Sequence, residues 1–321
     1  MKKIVGITIG DPAGIGPEIL LKGYEEIIKF NKFFPLIIGD IPVIEKNLEI
    51  LNLNYRIKKI TKSEEIEENF LNIYPSEIIK NKNFPIGCDN EICGKASFNY
   101  VISGIDLWRK KIIQGLVTLP ISKKSWSLAG YNYPGHTELL AEKLKEKNYA
   151  MIMIAGKYKV LLLTIHIPLK EVFLYLNEKL IIEKTKIGYE FLKMLKIKNP
   201  KIAICGLNPH AGEDGLLGDE EIKIIKPAIE KIRKYGIDIK GPFPADSIFR
   251  KEFDLIITIY HDQALIPLKT FYFNKMINFT GGIKLKRTSP GHGTAFDIAY
   301  QNKANPESFI CAYKFLVKYL L

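Results

Sequence analysis

Cysteine is scarce in this sequence: Cys88, Cys93, Cys205 and Cys311 are the four, and no two form a CxxC pair. That excludes a disulfide scaffold and the paired-cysteine zinc modules. Reduced thiols in a cytoplasmic protein are the expectation. Long apolar runs are also missing. None approaches the ~20 residues that span a bilayer, so no membrane association is expected. The start, MKKIVGITIG, has two lysines before an apolar run, but Asp11 and Pro12 end that run too soon for a secretion signal. There is no GxGxxG fingerprint, no HExxH pair, no internal repeat and no low-complexity linker.

Acidic charge is in deficit, with 35 Asp plus Glu against 47 Lys plus Arg and a net charge of +12. The lysines are scattered (Lys22, Lys58, Lys82, Lys143, Lys184, Lys231, Lys303), and no arginine cluster or aromatic-basic stripe accompanies them. This argues against nucleic acid and for a solvated basic surface whose field suits an anionic substrate. The hydrophobic share is 47% and the charged share 26%, ordinary for a globular protein. At 321 residues the chain is comfortable for two lobes.

The most informative stretch is Asp254 to Lys269, DLIITIYHDQALIPLK. Its apolar, β-branched run reads as a strand buried on both faces, as in a parallel sheet. The run stops at His261, Asp262 and Gln263, where open α/β sheets place ligands. Two segments repeat the layout. VLLLTI (160–165) ends in His166, and KIAICGL (201–207) leads to Asn208, Pro209 and His210. One such histidine is an ordinary structural residue. Three from a total of five are not easily dismissed, and three imidazoles with an open position suit a catalytic divalent metal.

Other stretches fit an α/β chain. Lys3 to Ile9 reads as a strand, followed by the glycine-rich turn GDPAGIGPE (10–18) and a helix to Phe30. The turn is either punctuation or a loop on the ligand side with Asp11 near the ligand. Ser63 before three glutamates hints at a helix start. Gly135, His136 and Thr137 sit at the amino terminus of a helix expected from Leu139; Thr137 alone reads as an N-cap, but with His136 beside it the free N–H groups and the helix dipole suit phosphate or carboxylate. Helices are expected over 170–195, 219–235 and 305–321. The stretch 278–297, bearing Asn278, Arg287 and His292, reads as a polar, glycine-bearing loop.

Seven ordered motifs, GDPAGIGPE (10–18), PGHTE (134–138), TIHIPL (164–169), GLNPHAGEDG (206–215), GPFPADSIF (241–249), YHDQALIPLK (260–269) and RTSPGHGTAFDIA (287–299), are spread along the sequence, and the resemblance that rests on them covers nearly the whole chain. Through them the sequence resembles the 4-hydroxythreonine-4-phosphate dehydrogenase family of vitamin B6 biosynthesis. The resemblance implies a two-lobed α/β/α fold like isocitrate and isopropylmalate dehydrogenases, not the Rossmann type. It implies oxidation of 4-phosphohydroxy-L-threonine at its C3 hydroxyl by NAD or NADP, then decarboxylation to 3-amino-2-oxopropyl phosphate. By the same resemblance His166, His210 and His261 hold one divalent metal (zinc, magnesium or cobalt). His136, Thr137, Lys269, Asn278 and Arg287 contact substrate, and His292, Gly293, Thr294 and Asp297 line the nicotinamide site. Asp246 and Asp262 are the nearby carboxylates, either as catalytic base or as orienters of the histidines. The family is a homodimer with its active site at the subunit interface. Residues 1–130 with 275–321 are expected to form one lobe and 131–274 the other, with the active site in the cleft between them. The sequence departs from the family pattern at Gly291, usually acidic, and over Gly281 to Lys286. The rival readings are a sister dehydrogenase of another phosphorylated hydroxy acid such as 4-phosphoerythronate, a metal-dependent phosphatase, and a basic nucleic-acid-binding protein.

Overall fold

The computed structural model describes residues 3–30, 32–62 and 65–321, so the helix start expected at Ser63 lies outside the described residues. The first stretch runs β1 (Lys3–Thr8), α1 (Gly16–Ile28), β2 (Phe33–Ile38), α2 (Ile41–Leu51), β3 (Arg56–Lys59), β4 (Phe70–Tyr74), α3 (Glu91–Arg109), β5 (Gly115–Thr118), α4 (Lys123–Leu128) and α5 (His136–Leu144). The middle runs β6 (Ala150–Ala155), β7 (Tyr158–Leu162), α6 (Leu169–Tyr175), α7 (Glu178–Met194), β8 (Ile202–Cys205), α8 (Lys226–Arg233), β9 (Ile239–Phe243), β10 (Leu255–Thr258), α9 (His261–Tyr272) and β11 (Ile277–Gly281). The chain ends with β12 (Arg287–Pro290) and α10 (Glu307–Phe315).

Two compact units result, 1–144 with 284–321 and 145–283. Both chain ends share a unit, but its borders differ from 130 and 275. The helix that opens at His136 belongs to unit one. Residues 275–283 belong to unit two, because β11 pairs antiparallel with β6 through Asn278 and Met153. The stretch 278–297, expected as a loop, instead contains two strands, β11 and β12, each short and broken by polar residues that hid its period, while 291–295 is loop as expected.

Unit one is built on an all-parallel sheet in the order β3-β4-β2-β1-β5-β12. The order is not Rossmann, since β4 lies between β3 and β2. Ile7 at the centre pairs with Ile37 on one side and Val117 on the other. Every position of β1 after Lys3 is buried, which is why it reads as an unbroken apolar run.

In unit two the order is β11-β6-β7-β10-β8-β9. The hairpin of β6 and β7 is antiparallel, while β7, β10, β8 and β9 run parallel. Ile257 of β10 faces Leu161 on β7 and Ile204 on β8. The carboxyl ends of these three adjacent strands thus share one sheet edge, and the three histidine-bearing segments leave from it. The helix expected over 170–195 is broken between α6 and α7, where Asn177 caps the second by accepting from the Leu180 N–H. The one expected over 219–235 begins as a wider-wound turn, Glu221–Ile225, before α8. Among the described residues no helix is long and apolar enough to cross a membrane.

Candidate functional site

In unit one, α5 begins at His136, three residues before the expected start at Leu139, and buries Thr137, so both residues lie in its first turn. The His136 ring stands edge-on to Trp126, centroids 5.6 Å apart. Its Nε2 is out of solvent and has no hydrogen-bond partner among the described residues. Burial first, then the nearby Arg287 charge, holds His136 well below the usual imidazole range, so it is neutral at pH 7. Arg287 opens β12, only 1% exposed, with Nε donating to Thr118 Oγ1 at 2.8 Å. Burial lowers its pKa to about 9, opposed by Glu138, and it stays cationic at neutral pH. A buried cation beside an unpartnered imidazole nitrogen is a place for an anionic or strongly polar group.

The glycine-rich turn supports the expected nicotinamide segment. The Ile15 N–H donates to the Thr294 carbonyl at 3.0 Å, and a Cβ on Gly14 would stand 2.9 Å from that oxygen. Only glycine allows this approach. His292 Nδ1 lies 3.1 Å from the Gly293 carbonyl oxygen, and Gly293 and Asp297 are exposed. Asp11, by contrast, is wholly buried, its Oδ1 accepting from the Ala13 N–H at 2.9 Å. Burial, opposed by hydrogen bonds from the Ala13 N–H, the Ser125 hydroxyl and the Ser122 N–H, raises its pKa to about 6.

The histidine edge of unit two is more open. His261 is the first residue of α9, and its Nδ1–H donates to Asp262 Oδ1 at 2.8 Å. That leaves Nε2 with its lone pair outward, the arrangement of a metal-ligating histidine oriented by a carboxylate. His166 lies nearby, ring centroid 5.9 Å from that of His261, a spacing at which two imidazoles can share one ion. His210 is exposed, and its Nδ1 lies 3.6 Å from Glu213 Oε2. Among the described residues no three His, Cys, Asp or Glu side chains are grouped to hold a metal. The backbone brings three histidines to one edge, and the side chains bring two of them together.

The reason lies in the turn that carries His210. Five consecutive residues, His210 to Asp214, have φ between 43° and 80°, a left-handed turn. Four of the five are not glycine, and each costs about 1 kcal/mol in that conformation. Strain of this kind clusters at functional sites. Sequence reasoning had no signal for it beyond the glycines at 212 and 215.

Asp246 and Asp262 both line a cavity of about 720 Å³ in unit two, together with Gln263, Arg250 and Lys157. Lys269, in the last turn of α9, is exposed. Asn278 on β11 keeps a buried Oδ1 without a hydrogen-bond partner, a second unpartnered polar atom among the expected substrate contacts.

Fold and site together define an α/β protein with a desolvated anion place in one unit and strand-end histidines in the other. The chain belongs to the family of the pyridoxal phosphate biosynthetic protein PdxA, whose model matches residues 31–316. It is 41% identical over 319 residues to the 4-hydroxythreonine-4-phosphate dehydrogenase of Aquifex aeolicus, covering 98% of each chain. A relative from Oceanobacillus iheyensis, 36% identical over 323 residues (96% of this chain, 95% of the relative), bears a provisional name, D-threonate 4-phosphate dehydrogenase. Among solved structures, 4-hydroxythreonine-4-phosphate dehydrogenase of Klebsiella pneumoniae superposes with a TM-score of 0.87 at 33% identity, covering 98% of each chain.

Proposed function

We infer that the protein oxidises 4-phosphohydroxy-L-threonine at its C3 hydroxyl with NAD or NADP, and that the product decarboxylates to 3-amino-2-oxopropyl phosphate on the route to pyridoxal 5′-phosphate. The observation that carries this reading is the desolvated Nε2 of His136, without a hydrogen-bond partner among the described residues, beside buried Arg287, in a chain 41% identical to a relative named 4-hydroxythreonine-4-phosphate dehydrogenase. His136, Thr137 and Arg287 in unit one, and Lys269 and Asn278 in unit two, are the proposed substrate contacts. His292, Gly293, Thr294 and Asp297 are the proposed nicotinamide contacts. His166 and His261, with His210 as the third donor, would hold a divalent metal (zinc, magnesium or cobalt). Bound there, the ion would make the substrate hydroxyl more acidic, and the nicotinamide would take up the hydride from C3, the carbon that bears that hydroxyl.

The chain's own residues do the rest. Arg287 fixes an anionic substrate group through a charge whose burial makes it strong. Neutral His136 binds without adding a competing charge. Asp262 holds the His261 tautomer with Nε2 free. Asp246, exposed on the same cavity, is the remaining carboxylate for taking up the hydroxyl proton.

Unit two leaves Leu216, Leu174, Phe271 and Ile266 at least two-thirds exposed, which supports a homodimer as the working form. The four free cysteines agree with a reducing compartment such as the cytoplasm.

A sister activity on D-threonate 4-phosphate, which carries a hydroxyl in place of the amine, is the second reading, favoured by the Oceanobacillus relative. The test is NADH or NADPH absorbance on mixing protein, divalent metal, nucleotide and either substrate, with and without chelator. Chelator-sensitive reduction with the amino substrate supports the first reading. Turnover of D-threonate 4-phosphate alone moves the protein to the second, and silence with both removes the dehydrogenase reading.

A further inference from the structure

The β10–β8 ladder stops short of the histidines. Its last paired residues are Ile257 and Ile204, and beyond them Gly206 turns to β9, its N–H donating to the Phe243 carbonyl at 2.8 Å. The gap is closed by a side chain. Gln263, only 9% exposed, accepts from the Ile259 N–H through Oε1 at 2.8 Å and donates through Nε2 to the Gly206 carbonyl at 2.7 Å. One acceptor and one donor on a planar amide are what a backbone peptide would offer there, so Gln263 acts as the missing rung.

The chain of bonds extends both ways. The Ile259 carbonyl accepts from the Thr164 N–H at 3.1 Å and from the Thr164 hydroxyl at 2.7 Å, which joins β10 to the segment carrying His166. Beyond β8, Glu221 is 1% exposed and grips Asn208. Its Oε1 accepts from the Asn208 N–H at 2.8 Å and its Oε2 from Asn208 Nδ2 at 2.9 Å. A Cβ on Gly212 would stand 2.6 Å from Oε2 of the same carboxylate, so Glu221 fills the inside of the left-handed turn. Glu220 Oε2 takes a further bond from Asn208 Nδ2 at 2.7 Å. Thr164, Gln263 and Asn208 each stand two residues from one of the three histidines.

We propose that Gln263 and Glu221 are positioning residues: a buried brace that sets the spacing of the strand ends bearing His166, His210 and His261, and that holds the His210 turn in its left-handed form. That the brace serves metal binding rests on the function proposed above. Its effect on histidine positions does not.

The test uses the full-length protein with isotope-labelled histidine, the five ring signals assigned through single His→Gln variants. Gln263→Met keeps the length of the side chain and loses both bonds. It should move the His210 and His261 signals, leave His136 and His292 in place, and weaken cobalt(II) binding about tenfold or more. Glu221→Gln should move His210 and leave His261. A folded Gln263→Met protein with all five signals unmoved and parental cobalt affinity overturns the brace. If Gln263→Met does not fold, Gln263→Glu, which keeps the Ile259 bond and loses the Gly206 bond, is read by the same two criteria. If cobalt(II) fails to perturb His166, His210 and His261 in the parent, the metal reading falls, while the ring-signal comparison still decides the brace.

Discussion

Unit one hides the substrate contacts proposed for it, and unit two displays most of its own. Arg287 and Thr137 are buried, and His136 has its outer nitrogen out of solvent. His166, His210, Asp246, Asp262 and Lys269 are all exposed. The large exposed apolar side chains follow the same division. Leu216 (82%), Leu174 (79%) and Phe271 (75%) belong to unit two, whereas among the described residues of unit one the most exposed is Leu128 at 52%. A buried site is preorganised by its own unit, so its residues act through desolvation and fixed charge. An open one takes its final geometry from what binds to it. The difference predicts that the proposed contacts of unit one and those of unit two fail in different ways.

The largest effect should come from unit two. His261→Ala removes an imidazole already paired with His166, and kcat should fall at least about 10³-fold with loss of bound metal. Arg287→Met, in unit one, should instead raise KM by about 100-fold with a smaller change in kcat and unchanged metal content, because it removes binding and leaves the reacting centre. Steady-state kinetics with metal analysis on both variants checks the contrast. The same KM-to-kcat pattern in both would erase it.

How far the sequence discloses these halves depends on which physical signal each residue leaves. Strands buried on both faces leave an apolar run, so β1, β7, β8 and β10 are visible, and the parallel register then sends His166, His210 and His261 to one edge. The helix start at His136 is visible because glycine, threonine and glutamate mark it. Arg287 is not visible as a buried strand residue, since a cation among Thr, Ser and Pro reads as loop. Gln263 and Glu221 are silent for another reason: a single side chain completing a ladder has no period. The left-handed turn at His210 depends on Glu221, eleven residues later, and no local pattern connects them.

The apolar exposure in unit two gives the second prediction. Phe271→Ser should weaken self-association about 100-fold, the scale of removing one well-packed aromatic anchor. Analytical ultracentrifugation over a concentration series reads it directly. Leu128→Ser, in unit one, should leave the association constant within experimental error. If Leu128→Ser dissociates the protein and Phe271→Ser does not, the contact surface lies on the other unit and the comparison reverses.

The smallest effect concerns pH, and it isolates the desolvation that distinguishes unit one. Asp11 has its folded pKa raised to about 6 from 3.8, so the stability it contributes is fully present below about pH 4 and is lost as pH rises through about 6. His136 has its folded pKa depressed below 6.5, so its contribution is present above that value and is lost as pH falls. The two oppose each other on acidification. Asp11→Asn retains an acceptor for the Ala13 N–H and removes the buried charge. At about pH 7 it should therefore be more stable than the parent by on the order of 2 kcal/mol. The advantage should shrink towards zero near pH 4, where Asp11 itself is protonated, and the variant should lose stability more steeply on acidification because the His136 contribution is no longer offset. Urea unfolding midpoints at several pH values read this, and parallel curves for parent and variant would remove desolvation of Asp11 as a feature of unit one.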